Sequence, residues 1–102
     1  MIVRWSRAAA RQLFEAGDYL KRARPGLVDK LYTATREVTG HIADEPRAFA
    51  AIHEARDGEV RRALVEKFKY WVIYEVFADR DECVVLAFWS TRRHPDGWRR
   101  YL

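Results

Sequence analysis

Basic side chains in the second half of the chain have the chemistry to bind an anion and to move a proton. Arginine presents a planar fork of N–H donors that suits phosphate or carboxylate better than the point charge of lysine does. Histidine can exchange a proton near neutral pH. The candidates are Arg62, Lys67, Arg92, Arg93 and His94. They could hold the charge that builds on a phosphate and transfer a proton, although a histidine ahead of a proline is more often an exposed turn residue without a catalytic role.

Cations are concentrated at the two ends of the sequence. The chain has 102 residues, with 19 Lys and Arg against 15 Asp and Glu and a formal net charge of +4. Residues 1–24 have a net charge of +4, residues 25–90 of −3 and residues 91–102 of +3. Fifteen of the 19 cations are arginines. This pattern indicates an anionic partner, with ordinary surface ion pairing as the alternative.

Size and composition predict one globular domain over residues 1–102. Hydrophobic residues at 49% supply enough apolar surface for a core, which argues against a disordered basic tail. Cys83 is the only cysteine, and Val84 and Val85 beside it predict a buried, reduced thiol. We find no signal-peptide apolar region and no stretch near the ~18 apolar residues of a membrane span. We therefore expect a cytoplasmic protein with no membrane partner.

The first half of the sequence predicts a short strand followed by two helices. Residues 2–5 form a short apolar stretch, and Ser6 after it can cap a helix. Apolar residues then recur every three or four positions, first up to Pro25-Gly26 and again from Leu27 to near Ala43. The short connection predicts that the two helices form an antiparallel hairpin with a joint apolar face.

The second half of the sequence predicts a three-stranded antiparallel meander over residues 60–65, 70–77 and 83–89. Residues 78–81 form a polar hairpin turn between the last two strands. Residues 47–57 fit either a helical turn or an irregular edge segment, and we leave that segment open. The order of elements predicts an α+β fold, in which an N-terminal strand and a helical hairpin precede a small sheet and the helices pack on one of its faces.

The opposite face of the predicted sheet is also largely apolar. Side chains alternate along a strand, so the two faces of the central strand carry Tyr70, Val72, Tyr74 and Val76 on one side and Trp71, Ile73, Glu75 and Phe77 on the other. The C-terminal segment, a dimer or a protein ligand would have to cover the second face.

By the same alternation the adjacent Arg61 and Arg62 point to opposite faces, and at least one of them is a solvated arginine or a partner of Glu59 or Glu75.

Three motifs together resemble the toxins of the RelE/ParE superfamily, the toxic halves of type II toxin–antitoxin pairs. They are Arg-Arg-x-Leu at residues 61–64, Phe-x-Tyr-x-x-x-Tyr at residues 68–74 and Arg-Arg-x-Pro-x-x-Trp at residues 92–98. Each is weak alone, and the combination is specific. The chain departs from the family at Phe68-Lys69-Tyr70, where Phe-Pro-Tyr is frequent, and the lysine restores a backbone donor and alters the turn.

The resemblance implies one of two activities. RelE-like members cleave mRNA on the ribosome, and a nuclease here would use Arg62, Lys67, Arg92 and His94. In those nucleases a tyrosine near the C-terminus, or a His-Tyr pair, joins the basic residues. Here the nearest aromatic is Trp98, whose indole N–H cannot shuttle a proton, and Tyr101 is out of register. The missing tyrosine favours the ParE-like branch, whose members poison DNA gyrase.

We therefore expect a bacterial ParE-like toxin, not an enzyme, that binds DNA gyrase, arrests growth or stabilises a plasmid, and is neutralised by a cognate antitoxin. The expected target- or antitoxin-binding residues are Arg62, Trp71, Arg92, Arg93, His94, Trp98, Arg99 and Arg100. We expect no cofactor, and His41 and His53 lack the neighbours of a metal site. The alternatives are a ribosome-dependent mRNA endoribonuclease and an inactive binding module, and either a homodimer or a toxin–antitoxin hetero-oligomer fits the sequence.

Overall fold

Ser6 ends the first strand and caps the first helix in the computed structural model, which describes residues 1–54 and 58–102. Strand β1 spans Ile2–Trp5 and helix α1 spans Arg7–Ala23. The Ser6 hydroxyl oxygen accepts a hydrogen bond from the Ala9 N–H at 3.1 Å, which satisfies one of the free donors of the first helical turn. The start of α1 is therefore where the sequence predicts it.

A second helix follows after one short turn. Residues Pro25–Leu27 form a 3₁₀ turn, and α2 spans Val28–Asp44. The two helices approach closely at Gly17, because a Cβ atom at that position would collide with the Tyr32 hydroxyl. The predicted helical hairpin is present, with both boundaries within a residue or two of those expected from the sequence.

Among the described residues, five strands form one mixed sheet. After β1 come β2 at Ala50–Glu54, β3 at Glu59–Val65, β4 at Tyr70–Phe77 and β5 at Glu82–Ser90. The spatial order is β1-β5-β4-β3-β2, with β1 parallel to β5 and the other neighbours antiparallel. The three-stranded meander predicted from the sequence is present as β3–β5. Strand β2 extends it and lies within residues 47–57, the segment for which the sequence predicted no single structure. Residues 55–57, the end of that segment, lie outside the described residues.

The helices pack on one face of this sheet, which confirms the α+β arrangement. Leu31 and Ile42 of α2 are fully buried against the sheet, together with Ala9 of α1. The sheet contributes alternate residues, namely Ala63, Val65, Val72, Tyr74, Val76, Cys83, Val85 and Phe88. The alternation expected for β4 and the buried Cys83 thiol are both confirmed.

The second face is covered by the C-terminal end of the chain. Its buried cluster holds Val60, Ile73, Leu86, Ala87, Trp89 and Trp98. A register shift in the β4–β5 pairing, between Ile73 and Tyr74, inserts one residue into β5. Leu86 and Ala87 therefore both lie in this cluster. A 3₁₀ turn at Gly97–Tyr101 places Trp98 on the cluster with only 3% of its surface exposed. Of the three coverings expected, the structure contains the C-terminal segment.

In residues 1–54 and 58–102, two residues in tight turns have left-handed backbone conformations. Lys69, between β3 and β4, has φ 59°, and Asp81, between β4 and β5, has φ 51°. Asp81 follows a 3₁₀ turn at Ala78–Arg80, where the sequence predicts the hairpin turn.

None of the described helices is long and apolar enough to span a bilayer.

Candidate functional site

The adjacent Arg61 and Arg62 lie on opposite faces of β3, and Arg61 is bound within the fold. Its guanidinium donates hydrogen bonds to the Phe49 carbonyl at 2.5 Å and to Glu59 Oε2 at 3.0 Å. Its side chain is 14% exposed. The hydrogen bond from Arg61, reinforced by Arg47, holds the pKa of the Glu59 carboxyl below its ordinary value. Arg61 therefore ties the segment before β2 to β3, and its ion pair with Glu59 is one of the roles expected for one of the two arginines.

Arg62 points to the other face and stacks on an indole ring. Its guanidinium carbon lies 4.0 Å from the centroid of the Trp71 ring, within the range of a cation–π contact. Trp71 is in turn the register partner of Trp89 across β4 and β5. The guanidinium of Arg93, just beyond β5, lies 3.7 Å from the centroid of the Trp89 ring. The guanidinium groups of two arginines thus lie over two neighbouring indole rings.

These residues line a small pocket on the second face of the sheet, with a volume of about 140 Å³. We call it the guanidinium–indole pocket and define it by Arg62, Trp71, Ile73, Trp89, Arg93 and Trp98. In the part of the chain that the structure describes, no carboxylate lies within ion-pair distance of Arg62 or Arg93. The pocket therefore combines an apolar interior with two guanidinium groups that are free to bind an anion.

The C-terminal arm, residues 91–102, supplies one wall of the pocket and is anchored through His94. The Trp89 indole N–H donates to the His94 carbonyl at 2.9 Å. The Asp96 backbone N–H donates to Nδ1 of the His94 ring at 3.1 Å. Gly97 passes so close to the Trp89 ring that a Cβ atom there would lie 2.6 Å from its Cζ2. His94 thus stabilises the turn that brings Trp98 over the sheet, and its Nδ1 serves as an acceptor.

The other arm arginines, Arg92, Arg99 and Arg100, are exposed. Arg99 lies 3.4 Å from Asp96 Oδ1 and 3.4 Å from the His53 ring on β2. Arg100 lies 5.5 Å from the centroid of the Tyr101 ring. Arg92 extends into solvent while its backbone N–H donates to the Ser90 hydroxyl at 3.2 Å. These three arginines add positive charge to the C-terminal arm and do not line the pocket.

The structure brings together half of the expected binding residues and separates the expected nuclease residues. Arg62, Trp71, Arg93 and Trp98 share the guanidinium–indole pocket. Lys67 lies instead in a different cleft of about 320 Å³ against α2 residues that include Asp29 and Glu37. Arg62 and Lys67 line different clefts, and His94 lines neither of the two.

Two contributors to the pocket were not expected from the sequence. Trp89 and Ile73 form part of its lining, although neither was among the candidate binding residues. Strand alternation places Ile73 on the same face as Trp71, so the sequence alone could have identified Ile73 as a neighbour of Trp71. Trp89 could be assigned only with the β4–β5 register.

Among residues 1–54 and 58–102, no group of three or more His, Cys, Asp or Glu side chains is placed to hold a metal ion.

Comparison with known proteins agrees with this fold. A family model described as the ParE toxin of the type II toxin–antitoxin system parDE matches residues 3–95. The chain belongs to the ParE toxin family. The match runs from β1 to Pro95, so it includes Arg62, Trp71 and Arg93, while the Trp98 wall of the pocket lies beyond it. The resemblance expected from the three motifs is thereby confirmed, in its ParE branch.

A solved structure described as the chromosomal ParDE TA system from P. aeruginosa has the same fold as this ParE family member. The TM-score is 0.61 at 17% sequence identity, and the similarity covers 88% of this chain and 95% of that chain. At this identity the similarity supports the fold alone. No curated protein sequence gave a significant match.

Proposed function

We propose that this member of the ParE toxin family inhibits DNA gyrase by binding to it, and that a cognate antitoxin neutralises it by covering the same surface. The observation that carries the proposal is the guanidinium–indole pocket, in which Arg62 and Arg93 are stacked on Trp71 and Trp89. Arginine and tryptophan clustered around a pocket are typical of the energetic centres of protein interfaces.

A binding inhibitor requires a rigid surface, and the contacts of the pocket provide one. Each guanidinium rests on an indole, and both indoles are on adjacent strands of the sheet. Side chains already ordered in the free protein lose less conformational entropy when a partner binds. The exposed arginines of the C-terminal arm extend this surface and would attract an acidic partner.

The placement of the basic residues supports binding over RNA cleavage. Cleavage through the 2′-hydroxyl requires a base, an acid and cations around one phosphate. Lys67 faces α2 in a separate cleft, and Nδ1 of His94 accepts a hydrogen bond from the Asp96 backbone. A catalytic set of Arg62, Lys67, Arg92 and His94 would therefore have to draw on side chains from two different clefts. We accordingly propose a non-enzymatic toxin that acts in the bacterial cytoplasm.

Purified protein added to gyrase tests the proposal. We expect loss of supercoiling and accumulation of cleaved DNA, and we expect the Arg62→Gln/Arg93→Gln double variant to be at least about tenfold less potent. Arg36→Gln, an exposed arginine on α2, is the matched control and should keep full potency.

Primer extension on translated mRNA distinguishes the alternatives. Codon-phased cuts that His94→Ala abolishes would establish an endoribonuclease in place of a gyrase inhibitor. Intact mRNA together with unaffected gyrase, and normal growth when the protein is expressed alone, would establish an inactive binding module.

A further inference from the structure

We infer that the guanidinium–indole pocket receives an acidic segment of the neutralising antitoxin, with one bulky apolar side chain inside the pocket and flanking carboxylates on Arg62 and Arg93. The inference rests on the proposed function, since it assumes that an antitoxin covers this surface. It goes further by naming the chemistry of the segment and the residues that recognise it.

The dimensions of the pocket fit a single side chain. A protein cavity of ~150 Å³ lined by apolar residues holds one benzene molecule, and this pocket measures about 140 Å³. Ile73 is buried on the sheet, and Trp71, Trp89 and Trp98 supply apolar walls. A leucine, methionine or phenylalanine side chain would fill the space, whereas an alanine would leave most of it empty.

The two guanidinium groups at the pocket favour a ligand that carries a negative charge beside its apolar side chain. Stacking on an indole occupies the face of a guanidinium and leaves its N–H edge available, and a carboxylate matches that edge with two parallel hydrogen bonds. No carboxylate among the described residues pairs with Arg62 or Arg93. The complementary ligand therefore carries negative charge close to its apolar side chain.

The exposure of the rings favours a peptide over a nucleic acid. Proteins hold single-stranded nucleic acid by stacking bases on accessible aromatic faces. Here Trp89 and Trp98 are only 2% and 3% exposed, and the Trp71 ring is covered by Arg62. The aromatic rings form walls of a hole for a side chain and present little free face for a base.

The test is an NMR titration of the full chain with defined probes, followed through the indole N–H resonances. The binding probe is a peptide of glutamates around one central leucine, and its control has alanine at the centre. Trp71 and Trp98 report on the pocket, while Trp5, packed against the core on the helix side, is an internal reference. We expect the leucine peptide to shift the pocket resonances alone, and the alanine peptide to bind at least about tenfold more weakly.

Substitutions at the two arginines complete the test. Arg62→Gln and Arg93→Gln should each weaken the leucine peptide by about tenfold or more, while Arg36→Gln should leave its affinity unchanged. A hexadeoxynucleotide is titrated in parallel as the nucleic-acid probe. The inference is overturned if the leucine peptide produces no shift at Trp71 or Trp98, or if the hexadeoxynucleotide is the only probe that shifts them. The same holds if the double variant loses gyrase inhibition but keeps the peptide shifts, because the pocket would then belong to gyrase alone.

The titration and the gyrase assay fail independently of each other. A protein that inhibits gyrase but gives no peptide shift retains the proposed function and loses the inference. A protein that shows arginine-dependent peptide shifts but leaves gyrase unaffected retains an acidic-peptide pocket and loses the gyrase target.

Discussion

Arg93 lies over Trp89 because the chain reverses direction immediately after β5. The Arg93 backbone N–H donates to the Ser90 carbonyl at 3.1 Å, and the turn returns the guanidinium to 3.7 Å from the centroid of the indole ring. The same reversal sends Gly97 and Trp98 across the second face of the sheet. One turn therefore positions a cation, a pocket wall and the cover of an apolar face.

The neighbours Arg61 and Arg62 should differ in their effects on stability. Arg61→Gln removes hydrogen bonds to Glu59 and to the Phe49 carbonyl, so we expect the free energy of unfolding to fall by ~1–3 kcal/mol. Arg62→Gln removes one cation–π contact and should cost less than ~1 kcal/mol. Urea denaturation of the two variants measures the difference. Equal losses, or a larger loss for Arg62→Gln, would contradict the division of roles.

Gly97 should be intolerant of even one added methyl group. In Gly97→Ala the new Cβ would meet the buried Trp89 ring, so the C-terminal arm must move away from the sheet. We expect red-shifted tryptophan emission and a lower free energy of unfolding. Gly40→Ala on α2 is the control, since its Cβ would enter open space and alanine stabilises a helix by up to ~1 kcal/mol. Unchanged emission in Gly97→Ala would show that the arm is not held at this contact.

Lys69 should be improved by glycine and harmed by proline. Its φ of 59° is costly for a residue with a Cβ atom, so Lys69→Gly should stabilise the protein by ~1 kcal/mol. Proline cannot adopt this φ and lacks the N–H that donates to the Val65 carbonyl at 2.9 Å, so Lys69→Pro should be destabilising. Thermal unfolding should give the highest Tm for Lys69→Gly and the lowest Tm for Lys69→Pro, with the unsubstituted protein between them. A stable Lys69→Pro protein would mean that the turn has another conformation.

Stability should decline at alkaline pH, in part because of Tyr74. Burial raises the pKa of the Tyr74 phenol above its ordinary value of 10.0, and its hydroxyl donates to the Pro46 carbonyl at 2.6 Å. A pKa raised in the folded state contributes stability that is complete below pH 10 and is lost as the pH rises further. Burial raises the pKa values of Tyr70 and Cys83 in the same direction.

Tyr74→Phe separates this effect from general alkaline unfolding. The variant should lose ~0.5–1.5 kcal/mol at pH 7 together with the hydrogen bond to Pro46, and its stability should depend less steeply on pH above 10. Urea denaturation between pH 7 and 11 measures both quantities. An unchanged alkaline slope in the variant would remove Tyr74 as a cause.

Local patterns in the sequence predicted the elements, and long-range pairing determined the site. Helical periodicity and the Ser6 cap located α1, and strand alternation placed Arg61 and Arg62 on opposite faces of β3. The strand β2 was not predicted, because its residues acquire a strand conformation only by pairing with β3.

The composition of the pocket depended on information that no local pattern contains. Trp89 meets Trp71 through the β4–β5 register, and the bulge at Leu86 changes that register along the strand. Lys67 and Arg62 are five positions apart in sequence, yet the turn after β3 directs Lys67 toward α2. Residue chemistry and the family resemblance therefore grouped cations that line different clefts.

Gyrase-mediated DNA cleavage in the presence of the purified protein tests the central claim most directly. The account predicts that cleaved DNA accumulates with increasing protein, and that Arg62→Gln/Arg93→Gln shifts this dose dependence by about tenfold or more while Arg36→Gln does not. Supercoiling and cleavage that remain unchanged at a large excess of folded protein would contradict it.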